Sequence, residues 1–358
     1  MKIGILTTSP GANEPLVKTI EKMGHEPRII IPKLCYQFIS ENVNGHDRLY
    51  YGIEGDEPER ITAKSLDAII PRLGSNVEYG AALLRFINEN LGVYCPVNPW
   101  GLIYAQNKSW TLQRLSNAGI PIPRTIMAES PAHVRWIVDK LGSLPIIIKT
   151  NQGSKGKTVS IIDTKRSANS MMEFCLNSNL KILVEEFINA ESSDFRVWVV
   201  GDSVAVAMKR TSNDKNDFRA NVSRGAKGEK AELSDEDKNL CIRAAHCLGL
   251  NIAGVDLMKS KETGKSFIIE VNANPGTLVI DLTGVDVWEH VIRFIEANYK
   301  KAVPAGVMAA LTESFIFSPG TILSDYTNLI TQNKNLQRTN EGLMIDMMTM
   351  RKPALKTH

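Results

Sequence analysis

Residues 252–276 read I-A-G-V-D-L-M-K-S-K-E-T-G-K-S-F-I-I-E-V-N-A-N-P-G. Ile252 to Met258 is apolar apart from Asp256, and Phe267 to Val271 is apolar apart from Glu270. Lys261-Glu262-Thr263-Gly264-Lys265 lies between them as a polar, glycine-containing turn, so the stretch predicts a β-hairpin. Side chains alternate along a pleated strand, which puts Glu270 and Asn272 on one face, where Asp256 of the partner strand is placed to join them. Three oxygen donors on one face suit a hard cation that keeps positions open to phosphate and water. Taken singly, each acid also reads as a solvent-facing strand residue. The apolar flanks weigh against that, because an unpaired carboxylate among buried neighbours is costly. Asn274-Pro275-Gly276 then ends the strand in a turn that lets backbone approach a ligand.

Upstream, the pattern predicts an open α/β sheet. Ile3 to Leu6 reads as a strand, Glu14 to Met23 as a helix followed by Gly24, Arg28 to Ile31 as a second strand and Leu66 to Ile70 as a third. Thr8-Ser9-Pro10-Gly11 lacks the G-x-G-x-x-G spacing and reads as a structural turn. Residues 76–90 and 108–118 have helical periodicity, and Gly119 with the breaker Ile120-Pro121-Ile122-Pro123 starts a new unit. A domain boundary near residue 100 is expected.

Pro145 to Lys149 reads as a buried strand ending in lysine, and Val159 to Ile162 as its successor. The loop between them, Asn151-Gln-Gly153-Ser154-Lys-Gly156-Lys-Thr158, is able to fold over phosphates and donate backbone N–H groups, with the Lys149 ammonium at the strand end. It is not a P-loop, since a strand follows it and G-x-x-x-x-G-K-[ST] is missing. Taken alone, the same residues read more often as a plain hairpin turn. Leu183 to Ile188 reads as an ordinary edge strand or as a strand-to-linker edge that presents backbone groups to an adenine. Asp194 to Val200, the turn Gly201-Asp202 and Val204 to Met208 form a second hairpin. The loop beyond, Asp217-Phe-Arg219-Ala220-Asn221-Val-Ser-Arg224-Gly, is either a solvated basic loop or a clamp in which guanidinium groups grip phosphate oxygens.

Composition bounds the class. The 358 residues are 43% hydrophobic and 23% charged with a formal net charge of +3, as in an ordinary globular chain of two or three domains. No basic run with interleaved aromatics indicates nucleic acid, and no window approaches a membrane span. Five cysteines, an odd number with no C-x-x-C, suggest neither a disulfide framework nor zinc. The cytoplasm is the expected location.

Lys149, the Gly153–Gly156 loop, Glu186-Phe187, Asp194-Phe-Arg, Asp217-Phe-Arg-Ala-Asn-Val-Ser-Arg-Gly, Ala253-Gly-Val-Asp and Glu270-Val-Asn-Ala-Asn-Pro-Gly occur in the order found in ATP-grasp ligases. Among these the chain most closely resembles the RimK family, glutamate ligases that modify the C-terminus of a ribosomal protein. The resemblance runs from residue 1 to about 300 and takes in Ala68-Ile-Ile-Pro-Arg-Leu-Gly, Tyr79-Gly-Ala-Ala-Leu-Leu-Arg and Gln106-Asn-Lys-Ser. It implies an α/β chain, α+β in its C-terminal half: an ATP-grasp fold preceded by an open α/β, or pre-ATP-grasp, domain. The expected divisions are 1–100, 101–188, 189–300 and an extension at 301–358.

The resemblance also implies roles. Lys108 and Lys149 contact nucleotide phosphates, together with Gly153, Ser154 and Gly156 of the loop. Glu186 and Phe187 border the adenine, and Asp194 meets the ribose. Arg219, Ala220 and Asn221 line the triphosphate; Asp256, Glu270 and Asn272 hold two Mg²⁺, with Mn²⁺ a substitute. Arg219 and Arg224 take the transferring phosphate and the intermediate, while Arg72 and Asn274 are candidates for the substrate. The implied reaction activates a carboxylate as an acyl phosphate with ATP and passes it to the amine of an amino acid, glutamate foremost. The acceptor carboxylate is a protein or peptide C-terminus, or alternatively a small-molecule acid. A non-catalytic ATP-binding interaction protein is the reading from another class. Family analogy suggests a homo-tetramer. The sequence departs from the family pattern at the loop, Gly153-Ser-Lys-Gly-Lys-Thr for Gly-Ser-Gln-Gly with a later glycine, at Glu185 for glutamine, and at Ser223 for histidine. Beyond residue 300, Ile322, Leu323, Tyr326, Leu329, Ile330 and Leu336 recur at helical spacing and predict an amphipathic helix.

Overall fold

The computed structural model describes residues 1–39, 48–53, 55–142, 144–151, 159–212 and 227–299. The helix expected over 322–336 therefore lies outside the described residues.

The chain begins with β1 (Lys2–Thr7), α1 (Glu14–Lys22) and β2 (Glu26–Ile30), continues through three short strands, β3 (Cys35–Phe38), β4 (Arg48–Tyr51) and β5 (Glu59–Ile61), and reaches β6 (Ala68–Arg72) and α2 (Val77–Glu89). β1 lies between β2 and β6 with all three parallel, while β3, β4 and β5 form a separate antiparallel sheet. Ile3, Ile5, Leu6 and Ile69 are fully buried, as expected of parallel strands covered on both faces. The strand expected third is thus the sixth: the short strands, three or four residues each, carry too little alternation to be read.

α3 (Pro99–Gln106) and α4 (Lys108–Asn117) start at Asn98 and Asn107, whose side chains accept hydrogen bonds from the Trp100 and Trp110 backbone. A second sheet follows from β7 (Thr125–Ala128), α5 (Val134–Leu141), β8 (Ile146–Thr150), β9 (Val159–Ile162), α6 (Lys165–Asn177) and β10 (Ile182–Glu186), in the order β7-β10-β8-β9. β10 is therefore an internal strand, not an edge. The last sheet is built from β11 (Ser193–Val200), β12 (Ser203–Thr211), β13 (Lys227–Ala231), α7 (Asp235–His246), β14 (Ile252–Lys259) and β15 (Ser266–Asn272), with α8 (Leu278–Thr283) and α9 (Val287–Asn298) after it. Its order is β13-β12-β11-β14-β15, all antiparallel.

Packing joins these parts into two buried clusters. The first unites the N-terminal parallel sheet, α2 to α4, the five-stranded sheet and α9; the second, from Val134 to Val184, belongs to the four-stranded sheet and its helices. In the first cluster Trp198 and Trp288 meet edge to face, their ring centroids 5.4 Å apart. Asp286 caps α9 and also accepts from Thr19 of α1 at 2.9 Å, tying the two ends of this cluster together. No helix among the described residues is long and apolar enough to cross a membrane.

Register in the five-stranded sheet depends on two irregularities. Leu257 pairs with Ile268, yet Asp256 pairs with Glu270, leaving Ile269 as an extra residue in β15. Likewise Val199 pairs with Val204 but Trp198 with Val206. Each bulge turns the following side chains to the opposite face from the one a regular ladder would give. Gly254 sits beside them at a point of close approach: a Cβ there would stand 2.6 Å from the Pro275 ring and 3.2 Å from Arg196 Nη1. Gly254→Ala is accordingly expected to cost about 1–3 kcal/mol through overpacking. Chemical denaturation checks this.

Candidate active site

Across the face set by the bulges, Arg196 of β11, Asp256 of β14 and Glu270 of β15 stand in one cross-strand row, and Trp198, Gly254 and Asn272 in the next. Asp256 is buried; Arg196 Nη2 donates to its Oδ2 at 3.0 Å. Its Oδ1 lies 2.6 Å from Arg196 Nε and 3.3 Å from Arg210 Nη2, but the Nε is misaligned and Oδ1 has no geometrically sound hydrogen bond. That oxygen retains a lone pair for a cation. The Asn272 amide nitrogen faces the Gly254 carbonyl at 3.4 Å, which leaves Oδ1 as its free acceptor. Glu270 is one-third exposed, and Lys108 Nζ lies 3.7 Å from its Oε1. Two carboxylates and an amide oxygen, one of them an orphaned buried acceptor, fit a hard divalent cation such as Mg²⁺.

Asp194, expected at the ribose, is engaged by Arg210. Both of its oxygens accept from Arg210, Nε to Oδ1 and Nη2 to Oδ2, each at 2.6 Å, and the pair is buried. Little of the carboxylate is left for a sugar hydroxyl. Burial pushes the Asp194 carboxyl up and the Arg210 charge pulls it back towards the ionised form, the balance leaving it raised to about 6. Arg210 in turn reaches Asp256, so Asp194, Arg210, Asp256 and Arg196 make one chain of charges.

The second cluster supplies the other side. Lys149, at the end of β8, is buried and holds Glu185 of β10 at 2.6 Å. Glu186 receives Arg124 N at 2.8 Å and Arg124 Nε at 2.7 Å, so its carboxylate grips the neighbouring strand and only its backbone remains to border an adenine. Phe187 follows, partly buried. Asn151 accepts from Ser109 N at 2.9 Å, joining the end of β8 to the first turn of α4 beside Lys108. Gly153, Ser154, Gly156, Arg219, Ala220, Asn221 and Arg224 lie outside the described residues. Their flanks do not: Lys149 pairs with Val159, and Thr211 with Lys227.

Arg72 is buried at the end of β6, where Nε donates to Asn13 Oδ1 and Nη2 to the Pro275 carbonyl, both at 3.1 Å. Asn274 precedes that carbonyl, and its Oδ1 is buried with no hydrogen-bond partner. His246 bonds the Gly201 carbonyl and stays structural. The open grooves beside Trp136, lined by Met127, His133, Arg135 and Asp139 among others, share no residue with this site. Arg196, Arg210, Arg124 and Glu185 are participants that sequence reasoning did not single out as a set. Alternation from Asp194 marks Arg196, but Arg210 is hidden: counted from the Gly201-Asp202 turn, a regular hairpin would pair Asp194 with Lys209.

Residues 1–102 match the RimK PreATP-grasp domain and residues 105–295 the RimK-like ATP-grasp domain. A probable alpha-L-glutamate ligase of Syntrophotalea carbinolica is 35% identical over 305 residues, covering 84% of this chain and 97% of its own. One from Legionella pneumophila is 34% identical over 309 residues, with 85% and 97% covered. Among solved structures, the ATP-grasp ligase PsnB complexed with precursor peptide PsnA2 and AMPPNP aligns with a TM-score of 0.64 at 18% identity, over 84% of this chain and 98% of that one. The macrocyclase MdnC from Microcystis aeruginosa MRC, bound with precursor peptide MdnA, gives 0.62 at 15% identity, over 83% and 100%. The two structural likenesses concern the fold alone.

The charge chain makes a test of its own. Arg210→Met would leave Asp194 buried without its counter-ion, at a cost of about 3–5 kcal/mol near pH 7.5. Removing Arg210 takes away the charge that holds the Asp194 carboxyl down, so in the variant it stands above its wild-type value of about 6. Between that value and the higher one the folded variant holds a proton that folded wild type does not, and the loss shrinks as pH falls through that window. The variant should therefore regain part of its loss at pH 5. Paired denaturation curves at the two pH values measure it.

Proposed function

The chain belongs to the RimK family of ATP-grasp ligases, enzymes that form carbon–nitrogen bonds, and from that premise we propose that it adds L-glutamate to the C-terminal carboxylate of a protein or peptide. The observation that carries this reading is the meeting of Lys108, a phosphate-type cation, with Glu270 in the row that also holds Asp256. A cation-ligand set and a phosphate ligand in one place are what phosphoryl transfer to a carboxylate requires. Glutamate as the amine donor is supported by the names of the bacterial relatives, and a peptide acceptor by the precursor peptides bound to PsnB and MdnC.

The chemistry follows from the poor reactivity of a carboxylate towards amines. An acceptor carboxylate oxygen attacks the γ-phosphorus of ATP, the bond to the β-phosphate oxygen breaks, and ADP departs to leave an acyl phosphate. The glutamate amine then attacks the acyl carbon, and the tetrahedral intermediate expels phosphate and loses the N–H proton as the amide forms. Asp256, Glu270 and Asn272 are the residues to hold Mg²⁺, two ions in our reading, with Mn²⁺ a substitute. When bound, the metal supplies a Lewis acid that draws charge from phosphate oxygens. Lys108 and Lys149 orient the phosphates, Glu186 and Phe187 border the adenine through the linker after β10, and Arg219 and Arg224 are assigned to the transferring phosphate and the intermediate. Domain divisions at 1–100, 101–188 and 189–300, and a homo-tetramer, belong to the same proposal.

Incubation with Mg-ATP, glutamate and candidate peptide acceptors should release ADP only when acceptor is present, with added glutamyl units seen by mass spectrometry. Glu270→Gln should abolish ADP formation with an unchanged melting curve. Undiminished turnover in that variant would sink the metal assignment, and the absence of ADP with every acceptor would sink the ligase reading.

A further inference from the structure

Among the described residues, the basic side chains around the site hold carboxylates, with one exception. Lys149 holds Glu185, Arg196 holds Asp256, Arg210 holds Asp194, and Lys108 stands by Glu270. Arg72 is 9% exposed and touches only neutral partners: the Asn13 amide oxygen, the Pro275 carbonyl and the Trp288 ring, 4.8 Å from its guanidinium carbon. No carboxylate among the described residues pairs with it. A guanidinium buried without a counter-ion is costly, and here burial alone pulls Arg72 down to about 10. Two donors of this group are used, which leaves the rest of its fork to an incoming anion.

Placement says which anion. Arg72 ends β6, and ligands of open α/β sheets bind outside the carboxyl ends of the strands. Its Nη2 is fixed on the carbonyl of Pro275, a residue that stands at most about 11 Å along the chain from Asn272. In the chain, Asn274 stands between Asn272 and Pro275, with a buried amide oxygen lacking a donor. A cation lacking an anion and, one residue along the chain from its carbonyl contact, an acceptor lacking a donor are complementary to the carboxylate and the amine of one amino acid. The acceptor substrate does not fit this description, because its carboxylate is the one that must reach the γ-phosphate.

We infer that Arg72 binds the free carboxylate of the incoming amino acid while Asn274 Oδ1 receives its amine, so that the N-terminal sheet selects the amine substrate. This rests on the ligase reading above. The guanidinium anchors the carboxylate bidentately, and the Asn274 oxygen aims the nitrogen towards the acyl carbon held at the cation ligands.

The test is equilibrium binding to the full chain in Mg-ADP, by calorimetry, of L-glutamate and of its α-amide and γ-amide. Wild type should lose roughly 10- to 100-fold in affinity for at least one amide. Arg72→Gln should bind glutamate as weakly as wild type binds that amide. Arg72→Lys, which keeps the charge without the fork, guards against a folding failure, as does Asn13→Asp, which would place a carboxylate on the atom that already accepts from Arg72 Nε. Both should weaken glutamate without altering ADP affinity. Wild-type glutamate affinity in any folded Arg72 variant, or equal binding of glutamate and both amides by wild type, overturns the inference. If such a variant still ligates glutamate with an unchanged KM, the ligase reading stands and this one falls. If the binding preference holds but no acceptor yields ADP, the reverse is true.

Discussion

Counted from the Lys261–Lys265 turn, a regular β14–β15 ladder would set Asp256 opposite Ile269 and turn Glu270 and Asn272 to the far face. The extra residue prevents this, pairing Asp256 with Glu270 and Gly254 with Asn272. The second bulge, between β11 and β12, does the same for Asp194 and Arg210. Because strand side chains alternate with a period of two, one inserted residue moves a whole half-strand between core and cleft. The cation ligands, the charge chain that orients Asp256 and the glycine that lets Pro275 approach all depend on these two insertions. They also explain why Gly254 tolerates no Cβ: its face is the crowded one.

Among the described residues, the charges so gathered are nearly balanced. Asp194, Asp256 and Glu270 face Arg196, Arg210 and Lys108, three acids against three bases, while Lys149 and Glu185 cancel each other nearby. Buried ions satisfied in this way avoid most of the desolvation penalty that a bare site of either sign would carry. Filling the site is then an exchange of partners. A divalent cation at Glu270 competes with Lys108, and a phosphate competes with the same carboxylate for that lysine, so metal and nucleotide each make the other's arrival less costly. Glu185 extends the same logic to Lys149, where a glutamine would hold the ammonium by a dipole alone.

Much of this was legible in the chain itself. The hairpin at 252–276, the helix after β1, the strand ending in Lys149 and the pairing of Asp194 to Met208 follow from period and turn chemistry, and the order of their polar residues points to the family. Most of what was not legible shares one cause. Arg210, the exact partner of Glu270, and the internal place of β10 are matters of register and strand order, which are fixed by packing between segments far apart in sequence. The ion pair of Asp194 was hidden for the same reason: its neighbour in space is sixteen residues away, across a bulge. Cys35–Phe38 and its two partner strands were missed because three or four residues are too few to show alternation.

Two buried clusters divide the labour. Arg72, Asp256 and Glu270 rise from the elements of the first cluster, and Lys108 opens α4, whose Leu115 packs there too. Lys149, Glu185 and Glu186 stand on strands of the four-stranded sheet, whose Ile146, Ile148, Ile182 and Val184 pack in the second. Neither cluster holds a complete set: one has the proposed cation ligands and the uncompensated guanidinium, the other the strand end proposed to face the nucleotide. A triphosphate that meets Lys108 and Lys149 together must therefore bridge the two, and its binding free energy includes whatever docking of one cluster on the other it demands. An amino acid held by Arg72 draws only on the first. Amine recognition can then be set independently of nucleotide recognition, and substitutions at the end of β6 can alter the one while leaving the other untouched.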